Sequence, residues 1–265
     1  MISGLYTAAS GLIAQTHQQD VIANNLANVN TTGYKRDRAL YVPFPTVFLN
    51  RINDEKMPVP GGFADAMVPI GQMGRGVELR VDGIKPDLVE SGPMNETGNK
   101  LDFAIKGQGM FVVMTQKGLR YTRDGSFSLD SDGILVNSSG HKVLGQRGEI
   151  ILDGSEIFTD ESGNIFVDGK ETDTFRIALY EKDSPLRKEG DNLFFPLDNM
   201  PLPETEDEGS VKIINGYLEG SNVNVVREMV DMISAYRAYE AAQKAVQAQE
   251  QTLSKAVNDV GNIQI

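Results

Sequence analysis

Hydrophobic residues recur at helical spacing near both ends of the 265-residue chain. Near the start, mostly apolar positions follow alternating steps of three and four from Ile2 to Leu26, and Ile13 and Ile22 widen the same face. An Asn- and Thr-rich run that closes with Gly33 is suited to end this helix. Near the other end the same steps run from residue 225 to residue 260. The pattern predicts one long amphipathic helix at each end of the chain.

The second helix has the more regular repeat, and Asn222 or Asn224 is suited to cap its start. Its predicted heptad positions are Val225, Met229, Met232, Tyr236, Tyr239, Gln243, Val246, Glu250, Leu253, Val257 and Val260. A helix of about 35 residues is about 50 Å long, whereas a compact domain of about 180 residues is only about 35–40 Å across. Packing on the chain's own core is the simpler interpretation, but part of the stripe would overhang. The alternative is that the two ends pair with each other and with other copies.

The middle of the chain has a strand-and-turn pattern. All 11 Pro and most of the 27 Gly lie between residues 39 and 215. Asp-Gly between short apolar runs favours hairpins, because a type I′ turn needs positive φ at both central residues. We expect such turns at Lys117-Gly118 and at the Asp-Gly pairs that begin at Asp124, Asp132, Asp153 and Asp168. Gly107-Gln108-Gly109 is interpreted as a tight turn inside a hairpin.

These patterns predict an α+β fold, in which discontinuous N- and C-terminal helices form a coiled-coil-like helical domain around an inserted, mainly antiparallel β domain. The predicted segments are 1–38 (helical), 39–99 (an extended Pro/Gly-rich excursion with a strand at Val77–Val81), 100–215 (the β domain) and 216–265 (helical, pairing with 1–38).

Composition excludes several classes of protein. The absence of Cys excludes disulfide scaffolds and thiolate metal sites. The net charge of −12 disfavours nucleic-acid binding, which needs surplus positive charge. The charge is uneven, at +1 over 1–38, −11 over 39–215 and −2 over 216–265. No apolar run approaches 18 residues, and no cleavable secretory signal is expected.

Candidate chemistry is sparse. His17 is expected on an exposed helix face and His141 in a turn, and neither has carboxylates at metal-ligand spacing. Gly107-Gln108-Gly109 lacks the third glycine and the following helix of a dinucleotide site. The sequence excludes an EF-hand calcium loop that starts at Asp130. Such a loop needs Gly at its sixth and Glu at its twelfth position, and these positions are Leu135 and His141. We therefore predict no catalytic residue, no metal and no cofactor.

Several motifs resemble those of the bacterial flagellar rod and hook family. They are Ala23–Arg36 (ANNLANVNTTGYKR), Gly220–Val225 (GSNVNV) with Glu228–Ile233 and Arg237–Glu240, and the central runs Ile105–Phe111 and Tyr121–Phe127. The central runs and the length favour a rod protein. The tracts Val143–Ile150, Leu186–Phe195 and Lys255–Asn258 resemble the proximal type slightly more than the distal type.

The resemblance implies paired terminal helices in an inner tube, an outer β layer and helical stacking into an axial shaft that crosses the periplasm and transmits torque. Its implied partners are other copies, other rod and hook axial proteins and the flagellar type III export apparatus. It also implies export without a cleaved signal, no binding to nucleic acid and no stable membrane insertion. The open alternative is a cell-wall carbohydrate-binding or carbohydrate-acting β domain with helical flanks.

Two sets of residues are predicted to matter. The assembly interface comprises Ile2, Leu5, Leu12, Ile13, Ile22, Leu26, Val225, Met229, Met232, Ile233, Tyr236, Tyr239, Val246, Leu253 and Val257. The family motif comprises Asn24, Asn25, Leu26, Asn28, Gly33, Ser221, Asn222 and Val223. The three Asn are expected to form hydrogen bonds that fix register, because an unpaired amide is costly inside a helix contact. Capping and exposure near Gly33 is the competing interpretation, chiefly for Asn28.

Overall fold

One helix precedes and one helix follows a series of strands along the chain, so the predicted α+β class is confirmed. The computed structural model describes the backbone of residues 2–43, 47–51, 56–59, 62–65, 68–73, 77–154, 157–180, 186–197, 202 and 211–261. Side chains are described for residues 5, 7–42, 84–154, 157–180, 186–197, 202 and 211–258. The helices are α1 (Ile2–Ala27) and α2 (Val225–Gly261).

The strands of the described residues lie between these helices. Those of the first segment are β1 (Asp37–Pro43), β2 (Val47–Arg51), β3 (Lys56–Val59), β4 (Gly62–Asp65), β5 (Val68–Met73) and β6 (Val77–Pro86). The next are β7 (Met94–Glu96), β8 (Phe103–Lys106), β9 (Met110–Thr115), β10 (Gly118–Thr122), β11 (Phe127–Leu129), β12 (Leu135–Asn137), β13 (Lys142–Gly145) and β14 (Gly148–Glu149). The last are β15 (Ile157–Thr159), β16 (Asn164–Val167), β17 (Lys170–Thr174), β18 (Ile177–Ala178), β19 (Leu186–Lys188), β20 (Leu193–Pro196), β21 (Lys212–Asn215) and β22 (Tyr217–Glu219).

Strand pairing after residue 93 is antiparallel. The largest sheet has the order β11-β12-β13-β9-β10-β20-β19, with β14 on β13 and β18 on β9. A second sheet has the order β15-β16-β17, while β8 pairs with β21 and β7 with β22. Before residue 87, β1 pairs with β6, β2 with β5 and β3 with β4. The strand expected at Val77–Val81 is the first half of β6.

Three of the predicted turns join paired strands. Lys117-Gly118 links β9 to β10, and Gly118 is the first residue of β10. Asp132-Gly133 lies between β11 and β12, and Asp168-Gly169 lies between β16 and β17. At the last of these, φ is 50° at Asp168 and 79° at Gly169, so both central residues have the sign that a type I′ turn requires.

The other three predicted hairpins are wrong, because the strands that flank them pair elsewhere. Asp124-Gly125 connects β10 to β11, and Asp153-Gly154 connects β14 to β15, without either pair being neighbours. Gly107-Gln108-Gly109 separates β8, which pairs with β21, from β9. Gly125 serves a different need: a Cβ there would lie 1.7 Å from the carbonyl oxygen of Phe103, so the site requires glycine for close backbone approach.

Four phenylalanines form the centre of the β core. Their ring centroids are 4.9–6.4 Å apart, and the rings meet edge-to-face or tilted. The four are Phe103, Phe111, Phe127 and Phe175, each at most 4% exposed. Aliphatic residues from β8, β9, β12, β13, β16 and β21 complete this cluster.

The chain divides into two compact units whose boundaries differ from the predicted segments. The helical unit contains Met1–Ile22, Ala39–Gly83 and Met229–Ile265, and the β unit contains Ala23–Arg38 and Ile84–Glu228. Residues 23–38 therefore belong with the β strands rather than with the helical residues before them. The four-segment division remains a prediction, and its assignment of 23–38 to a helical segment does not match these units.

Candidate functional site

The covered face of α2 differs by one residue from the stripe that the heptad count predicted. Val225, Met232, Tyr239, Val246 and Leu253 are half-buried, as an inward heptad position would be. The other inward position is occupied by Glu228, Ala235, Ala242, Gln249 and Ala256, whereas Met229, Tyr236, Gln243, Glu250 and Val257 are exposed. Alanine is a weak apolar signal, so the larger residues one position later misled the count. Val260 has no described side chain.

The first three turns of α2 carry a second apolar surface, which we call the α2 patch. It comprises Val226, Met229, Val230, Ile233 and Tyr236, which are 50–72% exposed. Over these turns the patch is centred about 115° around the helix from the covered face. Beyond it the same side becomes polar, with Arg237, Glu240 and Lys244. Contiguous exposed apolar surface beside polar residues is typical of protein interaction sites.

The predicted stripe on α1 is mostly covered. Ile22 is buried, Leu5, Leu12 and Leu26 are half-buried, and Ile13 is 61% exposed. The side chain of Ile2 lies outside the described residues. Because the structure contains one copy, the role of all these residues between copies stays a prediction.

α1 ends at Ala27, six residues before the predicted stop at Gly33. Asn28 caps this end locally, since its Nδ2 donates to the carbonyl of Asn24 at 2.9 Å and its Oδ1 accepts from Thr31 at 3.2 Å. Asn24 is exposed, and its Oδ1 accepts from the Tyr34 hydroxyl at 2.7 Å. For Asn28 the structure therefore favours the capping interpretation over register fixing.

Asn25 is buried and makes bonds in several directions. Its Oδ1 accepts from the Asp37 amide at 2.8 Å and lies 3.2 Å from the Tyr34 hydroxyl oxygen. Its Nδ2 donates to the Asp37 carbonyl at 3.0 Å and to Glu228 Oε2 at 3.3 Å. One amide thus joins the end of α1, the chain that follows it and the start of α2.

The three quoted motifs meet at a buried ion cluster formed by Lys35, Arg123 and Glu219, which we call the clasp. Lys35 Nζ lies 2.8 Å from Glu219 Oε1, and Arg123 Nε donates to Glu219 Oε2. All three side chains are at most 1% exposed. Glu219 also accepts from the Gly92 amide at 2.9 Å. The clasp therefore joins four stretches of chain through one carboxylate.

The guanidinium of Arg123 also occupies the turn that was predicted as a hairpin. Its Nη2 donates to the carbonyls of Ile105 at 2.6 Å and Gly107 at 2.8 Å, and its Nη1 donates to the carbonyl of Gly109. This explains why β8 and β9 separate at Gly107-Gln108-Gly109: the turn closes around a cation instead of forming a ladder.

The start of α2 is anchored by the remaining motif residues. Arg36 Nε donates to Glu228 Oε1, which is buried in the first turn of the helix. The Oδ1 of Asn222 accepts from the Arg36 amide at 2.6 Å, and its Nδ2 donates to the carbonyl of Glu90 at 2.9 Å. The N-cap is Asn224, whose Oδ1 accepts from the Arg227 amide at 3.1 Å. The Ser221 hydroxyl accepts from the Val223 amide at 3.3 Å, and both residues are buried.

Lys188, on β19, contacts the Tyr34–Asp37 stretch, which contains Lys35 of the clasp. Its Nζ lies 2.9 Å from Asp37 Oδ2 and 3.6 Å from the centroid of the Tyr34 ring, and it donates to the carbonyl of Lys35. Asn192 Nδ2 donates to the Thr32 carbonyl at 2.7 Å. The tract that resembled the proximal type thus holds the Thr32–Asp37 segment.

Gly33 occupies a site that admits no other residue without displacement. Its φ is +66°, and a Cβ would lie 2.4 Å from the Asp124 amide nitrogen. Its own amide donates to the Glu219 carbonyl at 2.7 Å. The predicted helix stop is instead the point where the chain packs on the Asp124 backbone.

Burial and opposite charges shift several pKa values here. Burial would raise the pKa of Glu219, but Arg123 and Lys35 outweigh it and hold that pKa below its ordinary value. Burial lowers the pKa of Lys35 and of Lys188, in spite of their carboxylate partners. Burial, with the Asp37 carboxylate, raises the pKa of Tyr34 well above its ordinary range. The charged form of the Glu219 carboxylate is therefore favoured beside its two cations, and Tyr34 is a neutral phenol.

The sequence analysis did not identify the clasp residues. Each lies inside or beside a quoted motif: Lys35 in the first, Arg123 in the central run and Glu219 immediately before Gly220. The quoted motifs contain or adjoin the three residues, but nothing in the spacing of the motifs shows that the residues meet in the fold. Among the described residues, no group of three His, Asp or Glu is arranged to hold a metal ion. None of the described helices is both long and apolar enough to cross a membrane.

Comparison with known families places each clasp residue in a different matching region. Residues 5–35 match the family "Flagella basal body rod protein", residues 104–172 match "Flagellar hook protein FlgE/F/G D1 domain" and residues 214–259 match "Flagellar basal body rod FlgEFG protein C-terminal". The chain is thus similar to one group of proteins at its start, middle and end.

Curated relatives match nearly the whole chain. The basal-body rod protein FlgG of Agrobacterium fabrum is 35% identical over 94% of this chain and 96% of its own length. The rod protein FlgF of Caulobacter vibrioides is 33% identical over 99% and 100%, and the hook-basal body complex protein FlhO of Bacillus subtilis is 30% identical over 99% and 100%.

The matching families consist of structural proteins of the flagellum and are not known as enzymes. Identity of this level over nearly full length confirms both the family and the structural role that the motifs predicted, as well as a place in the basal-body rod. This chain, a structural subunit, belongs to the flagellar basal-body rod protein family.

Proposed function

We propose that this rod subunit polymerises helically through its terminal helices, and that the polymer is the axial shaft that transmits torque across the periplasm. The observation that carries the proposal is the α2 patch: five apolar side chains that the chain leaves in solvent within three helical turns. Isolated exposed apolar residues need no explanation, but a contiguous group rimmed by charge fits a protein partner. The partners proposed are other copies and other axial proteins.

The covered face of α2 supports close helix pairing within the proposed assembly. Ala235, Ala242 and Ala256 alternate with Met232, Tyr239, Val246 and Leu253 along this face. Small residues at one heptad position allow helix axes to approach closely, while the larger residues interdigitate. We propose that α1 and α2 pair in a coiled-coil-like manner through these positions, with Leu5, Leu12 and Leu26 contributed by α1.

The contact between copies has to be heterologous. A patch that met its own copy across a two-fold axis would close into a dimer, whereas a patch that meets a different surface can continue indefinitely as a helix. The exposed side of α1, which includes Ile13, is the complementary surface that we propose. The bond from Asn25 to Glu228 would then hold the end of α1 to the start of α2 under load.

A single substitution tests the polymerisation proposal. Ile233→Asp places a charge in the centre of the α2 patch, so it should abolish rod assembly and motility. Because Ile233 is 54% exposed, the free energy of unfolding of the monomer should stay within about 0.5 kcal/mol of that of the parent chain. Ser234→Asp is the matched control, since Ser234 is also exposed and lies about 100° further around the helix.

The measurements are motility, electron microscopy of basal bodies and thermal unfolding of the purified chain. Normal rods with Ile233→Asp would contradict the proposed interface. Leu12→Asp and Leu253→Asp should also abolish assembly, but with some loss of monomer stability, because both positions are half-buried.

We further propose that the chain leaves the cell through the flagellar export apparatus without a cleaved signal. The absence of Cys suits a chain that passes unfolded into an oxidising compartment. The helices would complete their packing only on meeting neighbours, which prevents premature polymerisation. Accumulation of the chain in the cytosol of a strain without that apparatus is the expected result, and export in such a strain would contradict the proposal.

For the place within the rod, we propose the proximal type, on the resemblance of Val143–Ile150, Leu186–Phe195 and Lys255–Asn258. Basal bodies from a deletion strain would show where the shaft stops growing. A stump that lacks nearly the whole rod supports the proximal position, whereas a stump that lacks only its outer part would place the protein distally.

A further inference from the structure

The α2 patch contains a side chain whose polarity a chemical reaction can change. Met229 is 50% exposed, and it lies one helical turn from Val226 on one side and from Ile233 on the other. A methionine thioether is apolar, but two-electron oxidation converts it to a sulfoxide, which is polar. An apolar surface built around such a side chain can therefore lose its apolar character without any substitution.

Peroxides are the class of oxidant that carries out this reaction. The sulfur lone pair of Met229 attacks one oxygen of hydrogen peroxide, so that an S–O bond forms as the O–O bond breaks. The displaced hydroxide takes the proton from the sulfur-bound oxygen and leaves as water. The sulfur is thereby oxidised and the peroxide is reduced. The reaction requires access from solvent, which the exposure of Met229 provides.

The neighbours of Met229 in the patch cannot compensate a sulfoxide oxygen. Val226, Val230 and Ile233 have hydrocarbon side chains, so none of them donates a hydrogen bond. The Tyr236 hydroxyl is the one donor among the five side chains of the patch, but it lies seven residues further on, about 10 Å along the helix axis. A partner that covered the oxidised patch would therefore bury the sulfoxide oxygen without a donor from the patch, which is unfavourable.

We propose that Met229 is an oxidation site, and that reaction of its thioether with peroxide prevents a free subunit from joining the polymer. The inference rests on the proposed polymerisation through the α2 patch. Once a neighbouring copy covers the patch, the sulfur is out of reach of solvent. Oxidation therefore acts on subunits before they assemble, and it excludes oxidised subunits from the shaft.

Two other methionines are internal controls for exposure and for location. Met114, on β9, is 40% exposed but lies outside the α2 patch, and Met110, on the same strand, is fully buried. Because oxidation follows exposure, Met229 and Met114 should react with hydrogen peroxide at rates within about threefold of each other, and Met110 at least about tenfold more slowly. Peptide mass spectrometry of the full chain measures the three rates. A Met229 that reacts as slowly as Met110 would overturn the proposal.

Partial oxidation of the full chain tests the proposal without any substitution. The purified chain is oxidised in part by hydrogen peroxide and allowed to polymerise, and sedimentation then separates the polymer from the free chain. We expect the sulfoxide of Met229 to be depleted at least about tenfold in the polymer relative to the free chain. The sulfoxide of Met114 should be distributed evenly between them. An even distribution of the Met229 sulfoxide would overturn the proposal.

Two leucine variants identify the methionine that is responsible. Each is compared with its own untreated sample, so that a change in polymerisation caused by the substitution itself cancels. After peroxide treatment, Met114→Leu should lose polymerisation to the same extent as the parent chain, whereas Met229→Leu should retain most of its own. An equal loss in both variants would overturn the proposal and assign the effect to another methionine, such as Met232 on the covered face of α2.

Met229→Gln separates this inference from the proposed interface. Its amide places a permanent polar group near the position of the sulfoxide, so polymerisation should fall at least about tenfold below that of Met229→Leu. If Ile233→Asp blocks polymerisation but Met229→Gln and the peroxide-treated parent chain polymerise normally, the oxidation site is wrong and the interface stands. If Ile233→Asp polymerises normally, the interface and this inference both fail.

Discussion

The buried polar groups around Asn25 and Glu219 and the exposed α2 patch depart from the usual distribution of side chains in opposite ways. Around Asn25 and Glu219, amide and charged groups are buried, while from Val226 to Tyr236 apolar groups are exposed. The buried polar groups find their partners within the same chain, as the bonds to Asn25, Lys35 and Arg123 show. Among the described residues of a single copy, the five apolar groups of the patch stay at least half exposed.

This difference separates two tasks. A buried charge needs an exact set of partners, so a cluster of such charges specifies one arrangement of distant segments. Burial of an apolar patch against any surface that removes it from water lowers the free energy. A partner that binds after the subunit has folded can therefore cover it. The first task belongs to the fold of one subunit, and the second fits the proposed contact between subunits.

The largest expected effect comes from Arg123→Met. It leaves Glu219 with one cation fewer and leaves the carbonyls of Ile105, Gly107 and Gly109 without their donor, so the free energy of unfolding should fall by about 3–5 kcal/mol. Denaturant unfolding followed by circular dichroism measures the loss.

Arg147→Met is the control for that variant. Arg147 is 68% exposed and lies 4.0 Å from Glu171, so its loss should change stability by less than about 0.5 kcal/mol. Similar values for the two variants would mean that the clasp contributes no more than a surface pair.

Acid should weaken the clasp gradually. The pKa of Glu219 is lower in the folded chain than its ordinary value of 4.5, so the stabilisation is fully present above about pH 4.5 and is lost as the pH falls through the lowered pKa. Thermal unfolding between pH 7 and pH 3 measures this dependence, which Glu219→Gln should reduce.

Salt distinguishes this contribution from those of surface carboxylates. The pKa of Glu189 is also lowered, by hydrogen bonds from Lys117 and Arg120, but this residue is close to solvent and its effect should be screened by added salt. A pH dependence that disappears entirely in 0.5 M salt (on the order of a 4 Å screening length) would assign it to the surface instead of to the clasp.

A smaller effect is expected at the asparagines. Asn25→Ala leaves both backbone groups of Asp37 without their buried partner and should cost about 1–3 kcal/mol. Asn28→Ala removes only local bonds near the end of α1 and should cost less than about 1 kcal/mol. Chemical unfolding of both variants tests the order, and a reversed order would place the structural role at the cap.

The smallest effect on the monomer is expected in the α2 patch. Val230→Ser should change stability by no more than about 0.5 kcal/mol, because Val230 is 56% exposed. Its effect should appear instead in polymerisation of the purified chain, measured by sedimentation. A clear loss of monomer stability would show that the patch is packed within the subunit.

Local patterns predicted much of the fold. The two helices, the antiparallel strands and the turn at Asp168-Gly169 follow from periodicity and turn chemistry, which act over a few residues. The predicted hairpins at Asp124-Gly125 and Gly107-Gln108-Gly109 were wrong because contacts with groups distant in sequence determine their conformations. These groups are the Phe103 carbonyl and the Arg123 guanidinium. The α2 stripe was displaced because the alanines that face inward carry little pattern of their own.

By itself the sequence determined the class of fold, the positions of its helices and the family, since these depend on short-range spacing and on motifs read in order. Only the tertiary structure decided that Lys35, Arg123 and Glu219 meet, that Gly33 packs on the Asp124 backbone and that residues 23–38 belong to the β unit. The physical reason is that burial and charge pairing are properties of three-dimensional surroundings. In the sequence Glu219 looks like any exposed acid, and it becomes the centre of the clasp because the fold removes it from water and brings two cations to it.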